Sequence, residues 1–382
     1  MKKENHAVYL AQPNCGDVHE ILNVSMIIIL DKIYESVKVY APKDCCEVIE
    51  CALKKMGYDL SSIFFIHTKV YTKKQLPFWF ICGIQEFTCM LKNRNSDLYF
   101  STLNFLWFPI FNASAFLFKG QLFTLCHNDL EHLINPIFGK LNLRWRLINY
   151  IFKKMRFSKN NFCLVLGKSI KNNLFKYAKK ETITGNIISI NHPYYSENAK
   201  TQKKNNGNTK KIAIVGAIKW KDKENIEKLN HILTEAKSVE MYSISISDFD
   251  LTEYKNITVL NKGNKHLPRN QYDDFISEMD ALYFPYSENT YRVSASGAVY
   301  EAISKNKLII STENDYFKDL FSEFGEMGFL FKDFKELQDI FSDLSNEEKT
   351  SNFLKNEAKA TEFLSPMNYS DIFMKQVFRI NG

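Results

Sequence analysis

The segment that decides the fold is Tyr283-Phe-Pro-Tyr-Ser-Glu-Asn-Thr-Tyr-Arg-Val-Ser-Ala-Ser-Gly-Ala-Val-Tyr-Glu-Ala-Ile303, followed by Leu308-Ile-Ile-Ser-Thr312. It reads as a buried strand, a polar loop, a helix opening on Ser294-Ala-Ser-Gly297, and a second strand. That is one βαβ unit. Small residues at the helix start leave backbone N–H groups where an anion can dock. Ser294 and Ser296 are candidate caps, and Arg292 is a candidate cation. Glu301 lies four residues after Gly297, on the same helix face, where a carboxylate can accept hydrogen bonds from a ribose diol. The plain alternative is a helix cap beside a surface glutamate.

The same alternation extends through the chain. Val8–Ala11, Val37–Ala41, Ile63–His67, Gln121–Cys126, Phe162–Leu166 and Ile187–Ile190 read as strands, with helical patterns near 17–35, 47–56 and 75–91. Residues 196–210 are polar and lack an apolar period, which marks a linker. A fresh strand at Lys211–Val215 opens a second series, with helices at 223–237, 270–279 and 295–304 and strands at 240–246, 257–260, 281–285 and 307–311. Helices from about 333 close the chain. Strands alternating with helices predict an α/β chain of two Rossmann-like domains with mostly parallel sheets, facing a cleft. The expected organisation is a domain over 1–195, a linker over 196–210, a second domain over 211–365, and a closing helix over 366–382.

With 382 residues the chain can bury two cores. The 14 glycines and 9 prolines are too few for a long disordered or fibrous region. The net charge of +7 is unevenly spread. Residues 1–205 carry 28 Lys and Arg against 15 Asp and Glu, the remainder 22 against 28. A basic first half points to an anionic surface or partner. All eight cysteines precede residue 164, and none forms a C-x-x-C pair, which argues against zinc. With no signal peptide evident, they read as free thiols in a reducing cytoplasm.

In open α/β sheets ligands bind at the carboxyl ends of strands, and further candidates lie there. Gly16, after the first strand, lets backbone N–H groups approach a phosphate; an ordinary turn is the alternative. Gly216 follows the first strand of the second series, and Lys219, Lys221 and Lys223 follow it as candidate diphosphate donors or as a solvated basic loop. His127 follows the strand at 121–126, with Asp129 and Glu131 beside it. His192 precedes Pro193 and reads more simply as part of a turn. Residues 98–118 contain no charge, long enough in principle to span a bilayer. Asn104, Pro109 and Asn112 within it, with Asp97 and Lys119 at its flanks, favour a buried or surface-attached helix. Residues 140–159 mix Lys and Arg with Trp145, Tyr150 and Phe152, which suits either a packed helix or contact with an anionic membrane surface.

Taken together these residues resemble the GT-B glycosyltransferases, in particular the nucleotide-sugar-using family 4 type. The resemblance covers nearly the whole chain as architecture and is specific only in patches. Cys15-Gly16 matches the family's glycine loop, with Cys15 in place of the first glycine. Gly216 and Lys223 match the donor-domain Gly and Lys at their seven-residue spacing, while Ala217 replaces the intervening Arg. Glu301-Ala302 matches the second of two glutamates eight residues apart, the one that holds the ribose. The first would be residue 293, which is valine. His127 resembles the family's histidine near the transferred sugar.

Cysteine usage and the basic stretch at 140–159 point to a cytoplasmic protein, peripheral on the inner membrane face, and the resemblance implies an enzyme that moves a hexose from a nucleotide-diphosphate sugar to a glycan or lipid-linked acceptor in surface polysaccharide or glycoconjugate synthesis. It implies retention of anomeric configuration, His127, Asp129 and Lys223 in catalysis, a closing helix returned to the first domain, and no cofactor, metal or nucleic acid. Val293 supports an alternative, a non-catalytic nucleotide-binding partner of the same fold. An epimerase of that fold is a third reading.

Overall fold

The computed structural model describes residues 3–11, 19–69, 76–127, 130–134, 143–179, 183–195, 209–261, 264–265, 267–288 and 290–378. The chain divides into two compact units. The first comprises 1–195, the short segment Val293–Ala295, and 364–382; the second comprises 196–292 and 296–363.

The first unit is built on a seven-stranded sheet, made of β1 (Lys3–Leu10), β2 (Tyr34–Pro42), β3 (Ile63–Thr68), β4 (Asp97–Phe100), β5 (Leu122–Cys126), β6 (Asn161–Leu166) and β7 (Ile187–Ile190), ordered 3-2-1-4-5-6-7. Every neighbour pairs in parallel. The central strands are buried on both faces, so they read as unbroken apolar runs instead of alternating ones. Ala7, Val8 and Tyr9 in β1, and Leu98 and Tyr99 in β4, are fully buried. Helix Glu20–Ile33 is buried almost all round because it lies between this sheet and the closing helix Pro366–Phe378. The closing helix is also tied to the sheet by Asn191, whose backbone N–H donates to Tyr369 Oη at 2.7 Å.

The uncharged run at 98–118 is not one helix. It holds most of β4, a bend, the short helix Phe108–Ser114 and a turn at Ala115–Leu117. Its lack of charge has a different source: β4 is enclosed by β1 and β5. The buried Asp97 at its start accepts from Tyr34 Oη at 2.6 Å and from the Gln121 N–H at 2.7 Å. Among the described residues no helix is long and apolar enough to cross a membrane. The cysteines also depart from expectation. Among the described residues six are outside any disulfide, but Cys45, fully buried in the first turn of helix Lys43–Lys55, is disulfide-bonded; composition alone treats all eight alike.

The second unit has a six-stranded parallel sheet. Its strands are β8 (Lys210–Ile214), β10 (Val239–Ser243), β12 (Thr258–Val259), β13 (Ala281–Phe284), β14 (Leu308–Thr312) and β15 (Gly328–Phe331), in the order 12-10-8-13-14-15. Two short strands, β9 (Ala217–Ile218) and β11 (Ile246–Ser247), pair beyond it. Ile212, Ile214, Tyr283 and Ile310 from the sheet share a core with Leu337, Ile340 and Phe341 from helix Glu336–Asp343. Both sheets grow outward in both directions from their first strand. Each therefore has a switch point, between β1 and β4 in the first unit and between β8 and β13 in the second, where strand order reverses and ligands bind in such sheets.

Candidate functional site

At the second unit's switch point the chain leaves β8 through Val215-Gly216 and leaves β13 through Pro285-Tyr286. Gly216 has φ +86°, a left-handed conformation that disfavours any side chain. A Cβ there would also sit 2.2 Å from Tyr286 Oη. The two strand ends thus close on each other through a glycine and a buried phenol. Tyr286 Oη lies 3.0 Å from Ser296 Oγ. Its ring packs on Tyr291, with centroids 4.6 Å apart. Burial raises the Tyr286 hydroxyl well above its ordinary value, so it stays protonated and can donate.

The expected cap of helix Gly297–Ser304 is not made. Ser296 stands at the N-cap position without a side-chain bond to the helix, because its hydroxyl is at Tyr286. Gly297 is exposed, and a Cβ on it would meet nothing within 4 Å. Ser294 donates to Glu131 Oε1 at 2.8 Å, both residues belonging to the first unit. Val293, also in that unit, is fully buried.

Glu301 is buried. Arg269 Nη2 approaches its Oε1 to 2.9 Å, an ion pair without hydrogen-bond alignment, and Lys305 Nζ lies 4.0 Å away. Burial raises its carboxyl, and Arg269 and Lys305 pull it back. Lys305 also pairs with Asp273 at 2.5 Å, and Asp273 accepts from Arg269 Nε at 3.1 Å. Glu301 therefore belongs to a four-residue charge cluster that the sequence reading did not find.

Asp222 was also missed. It is fully buried and organises both loops of the switch point. Its Oδ1 accepts from the Ser287 N–H at 2.9 Å and Thr290 Oγ1 at 2.7 Å, and its Oδ2 accepts from the Lys219 N–H at 3.2 Å. The signal was its place in a basic loop, where one acid among Lys219, Lys221 and Lys223 is the odd residue.

Two of the three lysines are engaged by neighbouring side chains. Lys219 Nζ lies 3.5 Å from Asp248. Lys223 Nζ lies over the rings of Trp220 and Phe249, 5.6 and 5.9 Å from their centroids, and 3.8 Å from Glu227. Lys221 is exposed, and Arg292 is half-buried.

In the first unit, His127 follows β5 immediately. Its ring stacks on His19, with centroids 5.0 Å apart and planes 15° from parallel. His19 itself is left-handed, at φ 63°. His127 Nε2 is buried without a hydrogen-bond partner among the described residues. Burial, then the neighbouring His19 and His192, hold His127 well below its ordinary value. His192 is buried too and is pushed down to about 4, chiefly by burial, with its Nδ1 3.0 Å from Pro193 O. The imidazoles of His127 and His192 are thus neutral near pH 7. Spacing alone did not associate His19, His127 and His192. Gly16 and Asp129 lie outside the described residues.

No protein-family model matches the sequence, and no curated protein matches it. Solved structures do resemble it. Sucrose-phosphate synthase from Thermosynechococcus elongatus superposes with a TM-score of 0.63 at 12% identity, covering 98% of each chain. The catalytic domain of starch synthase IV from Arabidopsis thaliana, bound to ADP and acarbose, gives 0.61 at 9% identity, covering 99% of this chain and 100% of that one. HepE of Anabaena in complex with UDP gives 0.57 at 12% identity and covers both chains completely. With its two parallel-sheet α/β units, the chain has the GT-B fold of these proteins.

Proposed function

We propose that this protein is a glycosyltransferase that moves a hexose from a nucleotide-diphosphate sugar to a glycan or lipid-linked acceptor in surface polysaccharide or glycoconjugate synthesis. The second unit binds the nucleotide. Backbone N–H groups after Gly216 and at the start of helix 297–304 meet the diphosphate, and Glu301 holds the ribose. Lys219, Lys221, Lys223 and Arg292 supply positive charge around the leaving phosphate. The first unit supplies the sugar contact, with His127 as a neutral imidazole that accepts or donates one hydrogen bond, and with Asp129. No metal or cofactor takes part, and the sugar keeps its anomeric configuration.

One observation supports this reading above the others. At the second sheet's switch point Gly216 lies close against the buried Tyr286 hydroxyl, Asp222 ties the loops on both sides, and a buried carboxylate follows one helical turn into the next helix. Two neighbours of the same fold were solved with UDP and ADP respectively.

The test is thermal unfolding against a panel of nucleoside diphosphates and nucleotide sugars. A ligand at a hundredfold excess over its Kd stabilises the folded state by roughly 2.7 kcal/mol. One member of the panel is expected to give that shift, and Glu301→Ala to weaken its affinity about tenfold, which leaves roughly 1.4 kcal/mol of the stabilisation while the variant still folds. No shift with any nucleotide would sink the reading. A shift with no turnover on any acceptor would favour the non-catalytic binding protein, which Val293 supports. Turnover without acceptor would favour the epimerase.

A further inference from the structure

A carboxylate that accepts both hydroxyls of a ribose must be ionised, and burial works against ionisation. Glu301, on helix Gly297–Ser304, is buried. A second helix, Arg269–Ser277, supplies what offsets this. Arg269, Tyr272 and Asp273 stand three and four residues apart there, so they share one face. Lys305 follows Glu301 by four residues and lies on its side. All of these residues belong to the second unit.

Hydrogen bonds are divided unequally within this group. Asp273 takes the aligned ones: its Oδ2 accepts from Arg269 Nε at 3.1 Å and its Oδ1 from Lys305 Nζ at 2.5 Å. Glu301 Oε1 faces the same two cations, with Arg269 Nη2 at 2.9 Å and Lys305 Nζ at 4.0 Å. Yet no aligned hydrogen bond reaches that oxygen among the described residues. The guanidinium is thus forked between two acids. One receives a directed bond and the other receives charge.

The arginine is anchored at its base and open at its tip. Its guanidinium lies 5.7 Å from the centroid of the Tyr272 ring, while its side chain stays 54% exposed. Asp273 and Lys305 are only 21% and 20% exposed. The charged and titratable groups around Glu301 are Arg269, Tyr272 and Asp273 from the neighbouring helix and Lys305 beside it. Burial raises the Glu301 carboxyl most. Arg269 and then Lys305 lower it, the bonded Tyr272 hydroxyl lowers it less, and Asp273 raises it least.

We propose that Arg269, braced by Asp273, is a positioning residue for nucleotide binding: it keeps the buried Glu301 carboxylate charged and leaves its acceptor capacity to the ribose diol. As the diol arrives, Arg269 Nη2 yields Oε1 to the hydroxyls while Nε stays on Asp273. This role depends on Glu301 being the ribose contact.

Calorimetric titration of the full chain with UDP, ADP and GDP, and with the 2′,3′-dideoxy form of whichever binds tightest, tests it. The parent should prefer the diol by about tenfold, as expected for hydrogen bonds to a charged group. Arg269→Met removes the charge and keeps the stem. Losing an opposite charge this close makes a carboxyl roughly tenfold easier to protonate. The diol preference of this variant should therefore fall to about twofold at pH 6 and recover towards the parent's at pH 8. Dideoxy affinity should not change, and the ratio of the two ligands cancels titration of their phosphates. Asp273→Asn turns both cations onto Glu301 as direct donors, so it should lower the preference alike at both pH values. Arg269 is half-exposed, so its variant should melt like the parent. A parent that binds no nucleotide, or binds diol and dideoxy forms equally, overturns this role together with the ribose reading of Glu301. A parent whose diol preference is lost in Glu301→Gln but kept in Arg269→Met overturns this role alone. Equal weakening of both ligands by Arg269→Met does the same, because the arginine would then act at the phosphates or only on the fold.

Discussion

The two units wind their sheets the same way, yet they place different chemistry at the strand ends. Beside β13 the second unit gathers hydroxyls and a buried carboxylate that satisfy one another: Tyr286 with Ser296, and Asp222 with Ser287, Thr290 and the Lys219 N–H. After β5 the first unit gathers imidazoles, and His127 Nε2 has no partner among the described residues. A satisfied network rigidifies backbone. An unsatisfied, desolvated imidazole keeps a lone pair or proton available for something else. The contrast lies in these groups and not in the whole of each unit, since Glu301 Oε1 and Tyr283 Oη in the second unit also have no hydrogen-bond partner among the described residues.

Asp222 offers the strongest way to break that contrast. Replacing it with alanine leaves three donors without their buried acceptor. Hydrogen bonds to a charged group contribute about 1.5–3 kcal/mol each, so Asp222→Ala should cost about 3 kcal/mol or more in urea unfolding. Nucleotide response should go with it, because the loops on both sides of Gly216 lose their common anchor. Asp222→Asn keeps one acceptor oxygen and should recover part of both. If Asp222→Ala unfolds like the parent, the second unit's frame does not depend on this network.

How much of this was legible in the sequence depends on whether a feature is local. Nearly all the sheet strands were, because strands enclosed on both faces are short apolar runs. Asp97–Phe100 and Gly328–Phe331 were not: the first sits inside an uncharged stretch whose parts are apolar for different reasons, and the second is a four-residue edge strand that opens on a glycine. The glycine at 216 was legible from its place after a strand, but not its reason, Tyr286 Oη, seventy residues away in sequence. Glu301 could be picked out by its offset from the helix start. Its partner Arg269 could not, because it comes from a different helix. The pairing of His19 with His127 spans more than a hundred residues and leaves no periodic trace.

The imidazole side of the contrast is sharpened by pH. His192 has a folded pKa of about 4 against an ordinary 6.5. Between those values the unfolded chain binds a proton that the folded chain does not, so stability rises with pH across that window and is flat above it. The slope is about 1.4 kcal/mol per pH unit for one histidine. Glu86 opposes this: its folded value of about 8 lies above the usual 4.5, so its burial costs stability as pH rises through that interval. The useful quantity is thus the difference between the parent and His192→Gln, measured by urea unfolding across the acid range. The parent should lose about 1.4 kcal/mol per pH unit relative to the variant as pH falls from 6.5 towards 4. A flat difference would mean that His192 charges freely in the folded protein.

The smallest expected effect concerns the exposed end of the second unit's frame. Lys219 contributes its backbone N–H to Asp222, and its ammonium lies 3.5 Å from Asp248, with both side chains substantially exposed. Exposed ion pairs are worth about 0.2–1 kcal/mol, and the backbone bond survives any side-chain change. Lys219→Ala should therefore shift the urea midpoint by less than about 0.5 kcal/mol of stability. If Lys219 meets a diphosphate, its loss should still weaken the nucleotide-induced thermal shift, and more strongly at low ionic strength, since an exposed charge is screened within about 10 Å at 0.1 M salt. A variant with parent-like stability and a parent-like nucleotide response at low salt would leave phosphate recognition to the backbone after Gly216 and the open start of helix 297–304. The second unit would then read its ligand by shape and dipole, with no part for this lysine.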